Sequence, residues 1–525
     1  MLDFTIPASF NIATYLVDRH LKEGRGEKIA VYYKDERITY QQIAERVNRA
    51  GNALQQLGIE RENRVLVCLP DSPEFIAVYF GAIKIGAVPV PVNTMASVQD
   101  YIYYLNDSRA KVLVTQSRLW ESIAAHKGEL IFLKQVVLVD DEKNDLPNLH
   151  SLLDNSSPNL EPAATSRNDM AFWLYSSGTT GTPKGVIHLH HDLPYFMRPF
   201  CQEVLHLSPE DTAFSISKLF FSYGRNNSLD SIFLTGASVV LSPDPPRPEN
   251  VLHVLQKYKP TLFYSVPSSY AAILEYIRKQ DLKPDLHFLR LCISAGEDLP
   301  PIVSKNWHQM FGLEILNGVG SSDVGAIYLS NMPGEVRLGS AGKLLPHFEA
   351  KLTDEDGQEI DTDNEIGTLW IKNQGTTPGY WNKHSKTKEV ICHDWFCTGD
   401  QFSKDPEGFF WYSGRQDDML KPGGIWLSPL EVENVLLEHP AVKECAVIGV
   451  PDANGLEKPL AFVVIADTFA PVSESSNLEK ELQEHVKNQV AHYKYPRWVH
   501  FVTSLPRTVT GKIQRYKLRA LIEND

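Results

Sequence analysis

Between Tyr175 and Gly185 the chain reads Tyr-Ser-Ser-Gly-Thr-Thr-Gly-Thr-Pro-Lys-Gly. Ser176, Ser177, Thr179 and Thr180 offer hydroxyls, Gly178 and Gly181 let the backbone close on a ligand, and Lys184 brings a positive charge. Hydroxyls and free backbone N–H groups in such a turn donate to phosphate oxygens. The common phosphate loop has Ser or Thr directly after its lysine and a helix behind it. Here Gly185 follows Lys184 and residues 186–190 read as a strand. This loop should therefore join two strands and hold phosphate with backbone and hydroxyls instead of a helix dipole. The bland alternative is a polar hairpin, because Gly, Ser and Thr also make turns.

The elements that would position this loop alternate in type. Residues 64–70 form a branched apolar run that reads as a buried strand, and 72–86 read as an amphipathic helix capped by Ser72 and stopped at Gly86. Strands are expected at 87–93, 110–115 and 134–139, with a helix at 99–106. Beyond the loop the rhythm returns, with strands at 213–216, 237–241, 261–266 and 289–294 and helices at 250–258, 268–280 and 301–311. Such alternation means right-handed crossovers and mostly parallel sheets, with ligands gathered at the C-terminal ends of strands. From about residue 340, strands separated by polar turns such as Asp354-Glu355-Asp356-Gly357 suggest a β-rich subdomain. A further unit follows, with helices at 429–438 and 478–490, strands at 444–450 and 461–465, and a basic tail. The fold class is thus α/β. Residues 1–415 form a large domain of parallel-rich sheets with helices plus a β-rich subdomain, and 416–525 a small mobile α+β lid, hinged near Asp417.

The loop is also similar to the signature loop of the acyl-adenylate-forming, or AMP-binding, enzyme superfamily. Five more segments resemble that family in order. They are Ser294-Ala295-Gly296-Glu297, Asn317-Gly318-Val319-Gly320-Ser321-Ser322-Asp323, Trp395-Phe396-Cys397-Thr398-Gly399-Asp400, Tyr412 through Lys421, and Pro506 through Arg515. The resemblance implies that Ser176, Ser177, Gly178, Thr179, Thr180, Gly181 and Lys184 grip the ATP phosphates. It implies that Gly296 and Glu297 line the adenine pocket, that Asn317 and Gly318 belong to the ATP site, that Ser322 meets phosphate, and that Asp400 and Arg415 hold the ribose. Asp323 stands where the family's magnesium-binding acid is usually Glu, one methylene longer. Asp417 corresponds to the pivot, Gly423, Gly424 and Trp426 to the pantetheine channel, and Lys512 to the catalytic lysine. Pro422 departs from the commoner pattern of related aryl ligases.

Lys218-Leu219-Phe220-Phe221-Ser222-Tyr223-Gly224 resembles the wall of the acid pocket in benzoate-type aryl-CoA ligases. The implied pocket contains Phe220, Ser222, Tyr223, Gly224, Arg225, Gly320, Ala326 and Ile327, with His191 as its gate. Ser222 stands where amino-acid-activating domains carry the Asp that binds an ammonium, which disfavours an amino-acid substrate. Ala326 replaces a histidine often found in benzoate ligases, and Arg225 sits where small residues are common, so a ring substituent is expected. The implied reaction converts an aryl acid and ATP to acyl-AMP, with Mg²⁺, and then to a thioester with CoA. The alternatives are loading of the phosphopantetheine of a carrier protein and a non-catalytic nucleotide-binding module.

Bulk properties agree with an enzyme of this size. A chain of 525 residues is too long for a single core. Its 65 acidic residues exceed its 51 basic ones, a net charge of −14 that argues against a nucleic-acid partner. The six cysteines include no Cys-x-x-Cys pair, which fits reduced thiols in a cytoplasm. No stretch approaches the roughly 20 apolar residues of a membrane span, and the first residues, with Asp3 and Pro7, lack a basic-then-apolar signal. His188, His190 and His191 cluster in sequence but lack nearby carboxylates spaced for a metal. A monomer or homodimer is expected.

Overall fold

The computed structural model of the protein describes residues 5–140, 145–176, 182–420, 427–452, 456–466, 469, 477–491, 494–507 and 513–523. Its largest element is a nine-stranded sheet whose six inner strands are all parallel: Ile315–Gly320, Leu291–Ala295, Leu262–Ser265, Thr212–Ser215, Ser238–Leu241 and Ile29–Tyr33. Antiparallel strands close both edges: Ile327–Ser330 and Lys343–Leu344 at one, Glu36–Thr39 at the other. A second, four-stranded sheet is wholly parallel, in the order Val88–Pro91, Arg64–Cys68, Val112–Thr115, Gln135–Leu138. Runs such as Val65-Leu66-Val67 are buried on both faces, as parallel sheets covered by helices require.

Local chemistry sets the helix starts. Ser72 accepts from the Phe75 N–H at 3.3 Å ahead of the helix Pro73–Lys84. Thr39 with Gln42, and Ser97 with Asp100, form reciprocal capping boxes for Tyr40–Gln56 and Val98–Asp107. Most strand ends differ from the expected ones by one or two residues; the strand expected at 461–465 begins four residues earlier, at Glu457, because it pairs with Val442–Pro451 along its whole length.

Between the two sheets stands an antiparallel hairpin, Met170–Ser176 with Lys184–Leu189, whose register sets Ser176 opposite Lys184. The glycine- and hydroxyl-rich loop therefore does join two strands. The β-rich part is a five-stranded antiparallel sheet built on Gly367–Lys372 and Trp395–Lys404, with Phe410–Arg415 paired to the latter. A single helical turn, Gln416–Asp418, follows. The remaining three-stranded sheet, Val442–Pro451, Glu457–Ile465 and Trp498–Phe501, has its own core of Leu427, Val432, Leu436, Ala461 and Leu482.

Candidate active site

The base of the loop is clamped from the helix Val98–Asp107. Tyr175 donates its hydroxyl to Asp107 at 2.7 Å, the Trp381 indole N–H donates to the Asp107 carbonyl at 2.8 Å, and Tyr103 donates to the Pro183 carbonyl at 2.7 Å. Ser176 Oγ is buried and unbonded, so its hydroxyl is available to a ligand at the loop's foot. Ser177, Gly178, Thr179, Thr180 and Gly181 lie outside the described residues.

At the other foot Lys184 Nζ donates to the Tyr380 hydroxyl at 2.7 Å, and that hydroxyl donates to Asp323 Oδ1 at 2.6 Å. Lys184 Nζ is also 3.4 Å from the same carboxylate oxygen and 3.9 Å above the Tyr380 ring. Burial pulls the Lys184 pKa down while Asp323 opposes it; burial and then Asp323 push that of Tyr380 up. A cation, a phenol and a carboxylate thus share one junction beside the loop. Tyr380 was not anticipated, because a lone Gly-Tyr pair carries no signal of its own.

Asp400 and Arg415 face each other across two paired strands. Arg415 Nη1 donates to Asp400 Oδ1 at 2.9 Å and to the Thr398 carbonyl at 3.1 Å, while the Asp400 N–H donates to Thr398 Oγ1 at 3.1 Å. Gly399 turns the backbone with φ +72°, and an added Cβ would meet Arg415 Nη2 at 3.3 Å. Such a pre-oriented carboxylate suits a vicinal diol. At the ends of two central strands, Gly296 takes φ +92° and Glu297 accepts from Ser268 at 3.4 Å. Asn317 donates to the Ser340 carbonyl at 3.0 Å and keeps a buried, unbonded Oδ1. Beside it a Cβ on Gly318 would press on Ile327 Cδ1 at 3.1 Å.

The expected acid pocket gathers around the short helix Ser222–Arg225. Ser222 Oγ and Ser322 Oγ are 3.2 Å apart. Tyr223 donates toward the Ser265 and Ile293 carbonyls at 3.3 and 3.4 Å, and Phe220 packs edge-on against Phe221. Gly224 is obligatory, since a Cβ there would lie 2.1 Å from the Lys218 carbonyl. Gly320 pairs with Ile327, and a Cβ on it would lie 2.5 Å from the Ala326 carbonyl. Ala326 and Ile327 are buried next to it.

Two expectations need correction. Arg225 is not free to meet a ring substituent: its side chain is fully buried, donating from Nε to Asp230 at 2.8 Å and from Nη2 to Asn226 at 3.0 Å, with the guanidinium 4.1 Å from the Phe172 ring. A buried charge needs a partner, and here Asp230 provides it. His191 does not gate the pocket: it lies past the hairpin end remote from the loop, bonded to the Arg167 carbonyl at 2.7 Å and beside Asp192 at 3.2 Å. His188 and His191 each lie 3.2 Å from the Asp192 carboxylate, while His190 turns away from it. His190 Nδ1 accepts from the Ile12 N–H at 3.1 Å, and His188 lies against the Ser322 carbonyl at 2.7 Å. Among the described residues no three His, Cys, Asp or Glu side chains are placed so that they could hold a metal ion.

Near the expected pivot, Asp418 accepts from Arg519 at 3.2 Å and lies 3.8 Å from Arg515, which donates to both Glu433 oxygens at 2.7 and 2.9 Å. Asp417 lies within the turn Gln416–Asp418. Gly423, Gly424, Trp426 and Lys512 lie outside the described residues, although Arg507 and Ile513, on either side of Lys512, pair as a bridge.

Comparison with known proteins matches the chain to the AMP-binding enzyme family over residues 17–381 and to the AMP-binding enzyme C-terminal domain over 431–512. It is 42% identical to benzoate–CoA ligase of Thauera aromatica, covering 98% of this chain and 97% of that protein. It is 39% identical to 4-hydroxybenzoate–CoA/benzoate–CoA ligase of Rhodopseudomonas palustris, covering 98% and 94%. A solved anthranilate CoA ligase in complex with anthranoyl-AMP superposes with a TM-score of 0.93 at 38% identity, covering 98% of both chains.

Proposed function

This chain belongs to the AMP-binding enzyme family, and on that premise we propose how its residues run the family's two half-reactions. The protein is an AMP-forming acid–thiol ligase of the aryl type, activating a benzoate-type acid with ATP and passing it to CoA. In the first step a carboxylate oxygen bonds to the α-phosphorus of ATP and the bond to the bridging oxygen breaks, releasing pyrophosphate. In the second, the CoA sulfur bonds to the acyl carbon, the bond to AMP breaks, and the thiol proton leaves.

One observation carries the assignment of roles. Ser322 and Asp323 are adjacent, yet the Ser322 hydroxyl meets Ser222 while the Asp323 carboxylate meets Lys184 through Tyr380. The acid-binding and phosphate-binding sides therefore meet at a single peptide unit, where the new acyl–phosphate bond must form. Lys184, Ser176 and the loop hydroxyls hold the β- and γ-phosphates, Asp400 and Arg415 the ribose, and Lys512 offsets the charge that builds at the α-phosphate. Asp323 suits magnesium, which takes one or two carboxylates and completes its shell with phosphate and water. When bound, the ion neutralises phosphate charge. The Ser222–Ser322 hydroxyl pair and the small Ala326 favour a ring carrying a hydroxyl or amino group alongside unsubstituted benzoate.

The test is pyrophosphate release across aryl, cinnamyl, alkyl and amino acids, with mass detection of products with and without CoA. Release with benzoates and an aryl-CoA product is expected. Release ending at acyl-AMP despite CoA would point to a carrier protein, and no release with any acid to a non-catalytic module.

A further inference from the structure

The turn at residues 321–326 bears three groups this reading needs: Ser322, Asp323 and Ala326. Part of its shape is internal. The Gly325 N–H donates to the Ser321 carbonyl at 3.0 Å, and the Val324 N–H to Ser321 Oγ at 3.1 Å. Gly325 takes φ +97°, and a Cβ there would enter the Phe196 ring at 2.3 Å. These contacts define a turn but not where it stands relative to the loop and the acid pocket.

The Thr377 N–H, donating to the Asp323 carbonyl at 2.8 Å, holds its middle, and two buried side chains hold the peptides on either side. His188 Nε2 bonds the Ser322 carbonyl at 2.7 Å, and Asn226 Nδ2 donates to the Gly325 carbonyl at 2.7 Å. A carbonyl oxygen can only accept, so Nε2 carries the proton whatever the charge on the ring. Each arm is itself anchored. His188 Nδ1 is 3.2 Å from Asp192 Oδ2, which also accepts the Leu189 N–H at 2.8 Å, and the ring stacks on Phe172 at 5.1 Å. Asn226 Oδ1 accepts from Arg225, which is fixed by Asp230 and lies on the same Phe172 ring. Both arms thus return to one aromatic side chain in the hairpin strand that leads into the phosphate loop.

We propose that His188 and Asn226 are positioning residues that set where the 321–326 turn presents Ser322, Asp323 and Ala326. The proposal rests on the functional reading above. Arg225, expected to touch the ring, acts through Asn226 instead. The two arms differ in what they carry: His188 holds the Ser322–Asp323 peptide, between acid and phosphates, and Asn226 holds the Gly325–Ala326 peptide, at the acid alone.

The experiment compares His188→Phe, His188→Gln and Asn226→Ala with the wild type. KM for acid and ATP, melting temperature, and deuterium exchange of a peptide spanning 319–327 in the free protein are read. His188→Phe keeps a ring but loses the donor. It should raise both KM values about tenfold, the size of one lost buried hydrogen bond, and speed exchange. His188→Gln restores an N–H and should recover most of both. Asn226→Ala should raise KM for the acid by a similar factor and change the ranking of ring-substituted benzoates, with KM for ATP altered by less than about twofold. If His188→Phe does not fold, His188→Asn, whose amide falls short of the carbonyl, replaces it. Unchanged exchange in the donor-less variants overturns the proposal. So do KM changes that follow melting temperature, with Gln no better than Phe. A wild type inactive on every aryl acid would sink the functional reading instead, while the exchange data would still decide the positioning claim.

Discussion

Tyr380 links the two charged side chains beside the glycine- and hydroxyl-rich loop, since its hydroxyl accepts from Lys184 and donates to Asp323 in one chain of bonds. Removing that hydroxyl leaves the ring, its contact with the lysine and the fold, but cuts the relay. Hydrogen bonds to charged groups contribute about 1.5–3 kcal/mol, so Tyr380→Phe should raise KM for ATP by about tenfold or more and lower the melting temperature modestly. An unchanged KM for ATP would remove Tyr380 from the site. At this scale the motifs pointed to side chains that the structure places in charged pairs or relays: Lys184, Asp323, Asp400 and Arg415. It was not legible where a role depends on a partner. Nothing in the order Arg225-Asn226 reveals that Asp230 neutralises the first and Gly325 receives the second. His188 stands in a histidine cluster that gave no role from sequence, and its partners are a carboxylate four residues on and a distant carbonyl.

Among elements, the hairpin Met170–Ser176 with Lys184–Leu189 joins the site to the rest of the molecule. Branched apolar runs made most of the parallel strands readable from sequence, and Ser72 the cap of its helix. The helical runs that begin at Asp192 and Ser222 were not, because each passes into a π-helical stretch, Pro199–Val204 and Asn226–Asp230, where the side-chain period departs from that of an α-helix. Just past the hairpin, His190 ties the N-terminal segment down by accepting the Ile12 N–H. Burial pulls its pKa down to about 4 from 6.5, with Asp169 opposing. The unfolded chain therefore takes up this proton first. The stabilising contribution of the neutral ring is complete above pH 6.5 and is lost as pH falls toward 4. Asp71 acts in the opposite sense over part of that range: burial, partly offset by Lys218, raises its pKa to about 6, so the folded state holds that proton more tightly. Comparison of His190→Asn with the wild type isolates the histidine. The variant should be less stable by about 1–2 kcal/mol at neutral pH, the worth of a buried hydrogen bond, and should lose less between pH 6.5 and 4. Parallel stability profiles for the two proteins would show that His190 does not titrate in this way.

At the scale of the whole molecule, one pocket must serve two reactions that need different neighbours. Adenylation needs charge at the α-phosphate, and thioester formation needs an open path for a thiol. The matched C-terminal domain, residues 431–512, ends on Lys512, and Arg515, three residues on, is fixed to Glu433 and lies near Asp418 just past the last strand of the β-rich sheet. A rotation near Asp417 would move that anchored segment as a body, since few residues need change conformation at a hinge. Lys512 would then serve only the first step. Lys512→Ala should lower adenylate formation by about a hundredfold or more, the scale of losing a charge aimed at a transition state. It should leave thioester formation from supplied aryl-AMP and CoA near the wild-type rate. Separate assays of the two half-reactions check this. Equal loss in both would mean that the lysine acts on the pocket as a whole, and that the two steps share one arrangement of the C-terminal domain.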